Sequence, residues 1–161
     1  MSEDKTARPL GVGDPVPNVS LLDSQGETVR LRDLLGDRNV VLFFYPKDGT
    51  LFCTREACGF RDAYEEFAGL DADVIGVSSD APESHRAFAG KHGLPFTLLS
   101  DPDGAARRQF GTGRTLGVVP GRVTYVIDRE GIIRDVISSQ FRPGKHVEEA
   151  LRALRESTQP D

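Results

Sequence analysis

Cysteine is scarce: Cys53 and Cys58 are the only two among 161 residues, with four residues between them. Two cysteines without a visible secretory signal suggest a reducing compartment, where such a close pair fits catalysis or metal binding better than a permanent staple. Long apolar runs are also missing. The longest, Val40 to Tyr45, is far shorter than the roughly 20 residues of a membrane span. Met1 to Arg8 has no apolar core, so no secretory signal is visible, and a cytoplasmic location is expected. Basic clusters are lacking as well. Arg30/Arg32 and Arg107/Arg108 read as parts of solvated faces, and the formal net charge is −5. This argues against nucleic acid and anionic membranes as partners. Metal ligands are few: His85, His92 and His146 stand at no ligand-like spacing from Cys53. His85 and His92, seven apart on one predicted helix, read as a solvated face, and no metal is expected.

What is present is an alternation of strand and helix signals. After a loose lead-in over 1–12, Val19–Leu21 and Thr28–Leu31 flank the turn Asp23-Ser24-Gln25-Gly26, predicting an edge hairpin. Asp33 to Gly36 fits a short helical turn closed by glycine. Val40 to Tyr45 is apolar at every position, the pattern of a strand buried on both faces. Phe60, Tyr64 and Phe67 predict a helix from about Thr54 to Ala68, and Ala72 to Val77 a second buried strand. Pro82 and Glu83 open a helix that ends near Gly93. Phe96–Leu99 is strand-like, 105–110 a short helix, and 111–121 a flexible connection. Val123–Ile127 and Ile132–Ser138 form a hairpin, Val147–Leu154 a final amphipathic helix, and 157–161 a frayed end. The sum is one domain over 1–161, a three-layer α/β fold with a mixed sheet and an N-terminal hairpin.

The cysteine pair carries the chemical question. Buried apolar packing, a metal site, a staple and a reactive pair are the open readings. On one helix, residues five apart have Cα atoms separated by about 8.5 Å, from helix rise and radius. A disulfide needs Cα atoms within about 7 Å. The pair therefore cannot bond while the helix is intact, and a redox cycle would have to unwind its first turns. Cys53 follows a buried strand, Pro46 and Thr50, and stands at a helix start, where free N–H groups and the helix dipole favour a thiolate. Such activation is limited. Lowering a thiol pKa from about 8.5 to about 6 gains only roughly thirtyfold in thiolate at neutral pH, with some loss of nucleophilicity. A donor aimed at the developing charge is also needed, and Arg122 is the candidate.

Pro46-x-x-x-Thr50-x-x-Cys53 resembles the active-site motif of the peroxiredoxins. The longer run from Phe44 through Asp62 is similar to the bacterioferritin-comigratory-protein, or Q-type, subfamily. Gly13-Asp14-x-x-Pro17, Phe96 to Asp101 and Arg122-x-Thr124-Tyr125-x-Ile127-Asp128 follow the same pattern in order. The resemblance implies a thioredoxin-like fold that reduces hydrogen peroxide and organic hydroperoxides without a metal or bound cofactor. It implies a peroxidatic Cys53 that becomes a sulfenic acid, and a resolving Cys58 that forms a disulfide with it in the same chain. Thr50 and Arg122 would hold the thiolate and polarise the peroxide, Pro46 would shield the site, and Glu56 would orient an arginine. A thioredoxin- or glutaredoxin-type donor would return the thiols, in a monomer or weak homodimer. One departure stands out: Leu51-Phe52 replaces the usual Pro-Gly before the peroxidatic cysteine. Phe52 is therefore expected at the substrate entrance, favouring bulky organic hydroperoxides.

Two other readings compete. A thiol–disulfide oxidoreductase would share the fold but usually carries Cys-x-x-Cys, which is absent. A redox-sensing binding protein would use the same helix unwinding as its signal.

Overall fold

The computed structural model describes residues 9–112, 114, 115, 119, 120, 122–139 and 142–158. Its centre is a seven-stranded mixed sheet built from β1 (Ser20–Leu22), β2 (Thr28–Arg30), β3 (Asn39–Phe44), β4 (Ala72–Ser78), β5 (Thr97–Ser100), β8 (Val123–Ile127) and β9 (Ile133–Ser138). Their order is β2-β1-β5-β4-β3-β8-β9. The central strands β3, β4 and β5 run parallel, and the flanking pairs are antiparallel. The expected hairpins thus sit at the two ends of the sheet.

The all-apolar run of β3 is explained by two-sided burial. Val41, Phe43 and Tyr45 point into one cluster with Phe60, Phe67, Phe88, Leu151 and Leu154. Val40, Leu42 and Phe44 point into the other with Leu31, Ala106 and Phe110. Alternate side chains of a strand face opposite ways, so both faces need a cover. Helices α1 (Leu51–Asp62), α2 (Tyr64–Gly69), α3 (Pro82–His92) and α5 (Pro143–Thr158) contribute to the first cluster, and α4 (Ala105–Phe110) and a 3-10 turn (Leu31–Leu34) to the second. This is the three-layer α/β/α arrangement. At Gly76 on β4 an added Cβ would lie 2.7 Å from Phe43 Cζ and 2.8 Å from Leu98 Cδ2. Glycine there lets the Phe43 ring lie against the strand.

Several boundaries differ from the sequence reading. The helix expected from Thr54 begins at Leu51, with Thr50 at its N-cap, so both cysteines lie inside it. It also breaks at Ala63, whose ψ of 8° leaves helical geometry, while Phe60 and Phe67 stay in ring contact across the break. The last helix starts earlier than expected, at Pro143, because proline fits a first helical turn that lacks N–H partners anyway. Within 111–121, β6 (Arg114–Thr115) pairs antiparallel with β7 (Val119–Pro120), strands too short to show a sequence period. Residues 113, 116–118 and 121 of that expected flexible connection lie outside the described residues. Of the lead-in, 1–8 also lie outside, whereas Leu10 N–H donates to the Phe110 carbonyl at 3.0 Å. Of the expected frayed end, 159–161 lie outside, and α5 runs to Thr158.

One register matters for the site. Phe44 of β3 stands opposite Val123 of β8. That brings Arg122 to the end of β3, beside the loop that leads into α1.

Candidate active site

Cys53 is the third residue of α1, buried at 1% exposure among apolar neighbours. The spacing of Cys53, Glu56, Ala57 and Phe60 puts all four on the buried face of the helix. Arg122, itself buried, donates from Nη2 to Cys53 Sγ at 3.3 Å and from Nη1 to Glu56 Oε1 at 2.6 Å. A guanidinium can make both contacts at once because its donors are fixed in one plane. Burial works against the Arg122 cation, but the Glu56 and Cys53 charges outweigh it and hold the guanidinium above its ordinary range. Arg122 is thus a buried part of the site and not a surface charge ahead of β8.

Behind this pair lies a group that sequence reasoning left out. His146 of α5 is fully buried. Its Nε2 faces the Ser139 carbonyl at 2.8 Å, so Nε2 carries the hydrogen and Nδ1 is the acceptor. Thr124 Oγ1 donates to that Nδ1 at 2.7 Å. Glu56 Oε2 lies 3.5 Å from the same nitrogen, is buried, and has no hydrogen-bond partner. Two acceptors facing each other repel unless one holds a proton. Burial raises the Glu56 carboxyl to about 7 against the pull of Arg122. Burial and the Arg122 charge lower His146 to about 4. At pH 7 Glu56 is therefore about half protonated, beside a neutral imidazole. The ionised form of Glu56 holds Arg122 in place, and the protonated form leaves more of the guanidinium charge to Cys53. The signal for His146 was in the sequence: residues 146, 150 and 154 form one stripe of α5, and all three are buried.

The loop between β3 and α1 is fixed by a second polar cluster, also unforeseen. Asp48 accepts from Tyr45 Oη at 2.6 Å, Ser84 Oγ at 2.8 Å and His85 Nδ1 at 2.7 Å. Its N–H donates to Asp80 Oδ2 at 2.7 Å, and His85 Nε2 lies 3.0 Å from the Leu99 carbonyl. His85 is thus buried and not part of a solvated face. The Asp48 carboxylate needs donors, and the ring is packed between it and the Leu99 carbonyl. These hydrogen bonds keep Asp48 ionised: burial opposes them, but the His85 and Tyr45 bonds prevail and its carboxyl lies below the usual range. Among the described residues, Asp48, Asp80 and His85 are the one group whose donor atoms gather closely enough to hold a metal. The hydrogen bonds already account for their grouping. Arg107 is likewise no mere solvated charge: Nη2 donates to the Tyr45 carbonyl at 3.2 Å, and the guanidinium lies over the Phe44 ring.

Not every predicted residue converges. The Thr50 hydroxyl donates to the Lys47 carbonyl at 3.0 Å, closing the loop on itself and leaving its oxygen lone pairs as acceptors. Pro46, at the end of β3, and Phe52, in the first turn of α1, are partly buried. Cys58 is partly exposed, and both thiols are free. With both cysteines on intact α1, the helical separation of about 8.5 Å applies and no disulfide can close in this state.

Residues 12–136 match the AhpC/TSA family. The chain is 45% identical over 144 residues to the chloroplastic peroxiredoxin Q of Populus jackii, covering 89% of this chain and 67% of that one. It is 46% identical to the chloroplastic peroxiredoxin Q of Sedum lineare, covering 89% and 77%. Among solved structures it is similar to the peroxidoxin BcpB of Mycobacterium tuberculosis, with a TM-score of 0.85 and 41% identity over 94% of this chain and 99% of that one. The bacterioferritin comigratory protein of Xanthomonas campestris, studied for alkyl peroxide reduction, gives a TM-score of 0.80 and 28% identity over 91% and 100%. The chloroplastic relatives overturn the expectation of a cytoplasmic location. Scarce cysteine marks a reducing milieu, and that is not unique to the cytoplasm. On this fold, with a buried thiol under an arginine, the chain belongs to the AhpC/TSA family as a peroxiredoxin of the Q type, and it is a thiol-dependent peroxidase.

Proposed function

We propose that Cys53 is the peroxidatic residue, that Cys58 resolves it, and that the single domain reduces hydrogen peroxide and organic hydroperoxides in two thiol steps. The observation that carries this reading is the 3.3 Å contact from Arg122 Nη2 to Cys53 Sγ at the first turn of α1. The Cys53 thiolate attacks one peroxide oxygen. The S–O bond forms, the O–O bond breaks, and water or an alcohol leaves after taking a proton. Arg122 faces the charge that passes from sulfur to the leaving oxygen, and such an aimed donor is worth far more in a buried site than in water. Thr50, with its hydrogen given to Lys47, offers its oxygen to the peroxide O–H. Pro46 excludes water, Glu56 orients Arg122, and Phe52 borders the entrance.

Resolution needs the first turns of α1 to unwind. Cys58 then condenses with the Cys53 sulfenic acid to an intramolecular disulfide, and water leaves. A thioredoxin-type donor returns both thiols; a glutaredoxin-type donor is a second candidate, and the working unit is a monomer or weak homodimer. The test is stoichiometric: the reduced protein receives one equivalent of hydrogen peroxide, free thiols are counted, and any disulfide is located by peptide mass. Loss of both thiols with Cys53 joined to Cys58 in one chain is expected, and Cys53→Ser should lose all peroxide consumption. Retained consumption in that variant would remove Cys53 from the centre of the mechanism.

A further inference from the structure

Cys58 sits beside a histidine to which nothing in the peroxide step gives a task. His92, in the last turn of α3, places Nδ1 3.9 Å from Cys58 Sγ. Its ring is set from two sides. Phe88, one turn earlier, meets it edge to face with centroids 5.0 Å apart. Arg61, one turn beyond Cys58 on α1, donates from Nη1 to the His92 main-chain carbonyl at 2.8 Å. Helices α1 and α3 are therefore tied together at the point where imidazole and thiol meet. Cys58 and His92 are both partly exposed, so the pair opens to solvent. Charged groups near the pair are Arg61, held in an ion pair with Asp62, and Lys91 and Asp48, which line the adjoining groove with His92.

The chemistry of resolution asks for such a neighbour. A thiol attacks a sulfenic acid only as its thiolate, and an ordinary cysteine is only a few per cent ionised at pH 7. An imidazole titrates near neutrality and can take that proton.

We propose that His92 is the general base that ionises Cys58 for its attack on the oxidised Cys53, an inference that rests on Cys58 being the resolving residue. The Cys58 S–H proton passes to His92 Nδ1. The thiolate forms an S–S bond to Cys53 Sγ as the S–O bond of the sulfenic acid breaks. The departing hydroxide takes a proton from the imidazolium or solvent and leaves as water. Cys58 sulfur is oxidised and Cys53 sulfur reduced, and no further reactant is needed. Deprotonation comes before the helix unwinds, since the contact exists in the reduced, folded state. Thiolate made at that stage is ready when the segment opens.

The test separates the base from the resolving role. In Cys53→Ser protein, Cys58 is the only thiol, and its second-order rate with a disulfide reagent such as DTNB is followed from pH 6 to pH 10. Adding His92→Gln should lower the rate at pH 7 by about tenfold, within the roughly thirtyfold ceiling set by the small ionised fraction of a free thiol. The two profiles should converge at high pH, where either thiol is ionised. His92→Asn, which keeps a hydrogen-bonding group without a base, should behave like His92→Gln. Coincident profiles for all three proteins overturn the proposal, whatever the fate of Cys58 in turnover. With both cysteines present, one equivalent of hydrogen peroxide is added and quenched samples are read for Cys53 oxidation and for disulfide. Slower disulfide formation relative to Cys53 oxidation in His92→Gln is expected. An unchanged ratio of the two rates overturns the proposal. If no Cys53–Cys58 disulfide forms even with His92 present, the resolving assignment itself fails, while the DTNB result still judges the base.

Discussion

Replacing Glu56 by glutamine should change how stability depends on pH more than it changes stability itself. In the folded protein the Glu56 carboxyl titrates at about 7 instead of 4.5. Its folded form holds a proton that the unfolded chain has released, so its contribution is full below pH 4.5 and is lost as pH rises to 7. His146 does the reverse: its folded form titrates at about 4 instead of 6.5. Its contribution is full above pH 6.5 and is lost as pH falls to 4. Each displacement of 2.5 pH units corresponds to about 3 kcal/mol at 1.36 kcal/mol per unit. The slopes are opposed and nearly cancel, because folding merely moves one proton from His146 to Glu56. Glu56→Gln removes one slope and leaves the other. Relative to the parent protein, its unfolding free energy should climb by about 3 kcal/mol between pH 4.5 and 7. His146→Gln should fall by a similar amount relative to the parent between pH 4 and 6.5. Urea unfolding of the reduced proteins at several pH values measures this. At about 2 kcal/mol per molar urea, the midpoint should move by about 1.5 M relative to the parent. Groups such as Asp48 and Asp128 titrate alike in all three proteins and drop out of the comparison. Variant midpoints that track the parent at every pH would refute the shared proton.

Three other outcomes are expected. Arg122→Gln should lower the second-order rate of Cys53 oxidation about 10²- to 10³-fold, as for loss of one aimed donor. Rapid-quench thiol counting measures it, and a change under threefold would show that Arg122 does not face the reacting oxygen. Phe52→Gly should alter the ratio of kcat/KM values for a bulky organic hydroperoxide and hydrogen peroxide, lowering it if the ring contacts the larger substrate; an unchanged ratio would take Phe52 out of the entrance. Gly76→Ala should destabilise by about 1–3 kcal/mol, since its Cβ would overlap Phe43 and Leu98 and buried rings give way poorly. A thermal midpoint within about 1 °C of the parent would show that the core repacks freely.

The sequence by itself determined the layers and the reacting segment. The run Val40–Tyr45 could be buried only on two faces, and the structure divides it residue by residue between two clusters. The segment from Pro46 to Cys58 is local, so proline, threonine and cysteine spacing could be read directly. Helix limits were less legible. Leu51 to Cys53 lie on the buried face only in part, and the periodicity begins to count only once Cys53, Ala57 and Phe60 line up. Tertiary structure alone decided what surrounds the thiol. Arg122 meets Cys53 across 69 residues because β8 lies antiparallel to β3 in one register, with Val123 opposite Phe44. A shift of one residue would turn alternate side chains to the other face and move Arg122 off the site. His146 reaches Glu56 only because α5 packs on α1, where Gly59 lets Val147 approach closely. His92 reaches Cys58 only because α3 lies beside α1, and His85 is buried because it serves Asp48. Chemistry that depends on charge within a few ångströms is set by contacts between distant segments, and one-dimensional spacing carries no record of them.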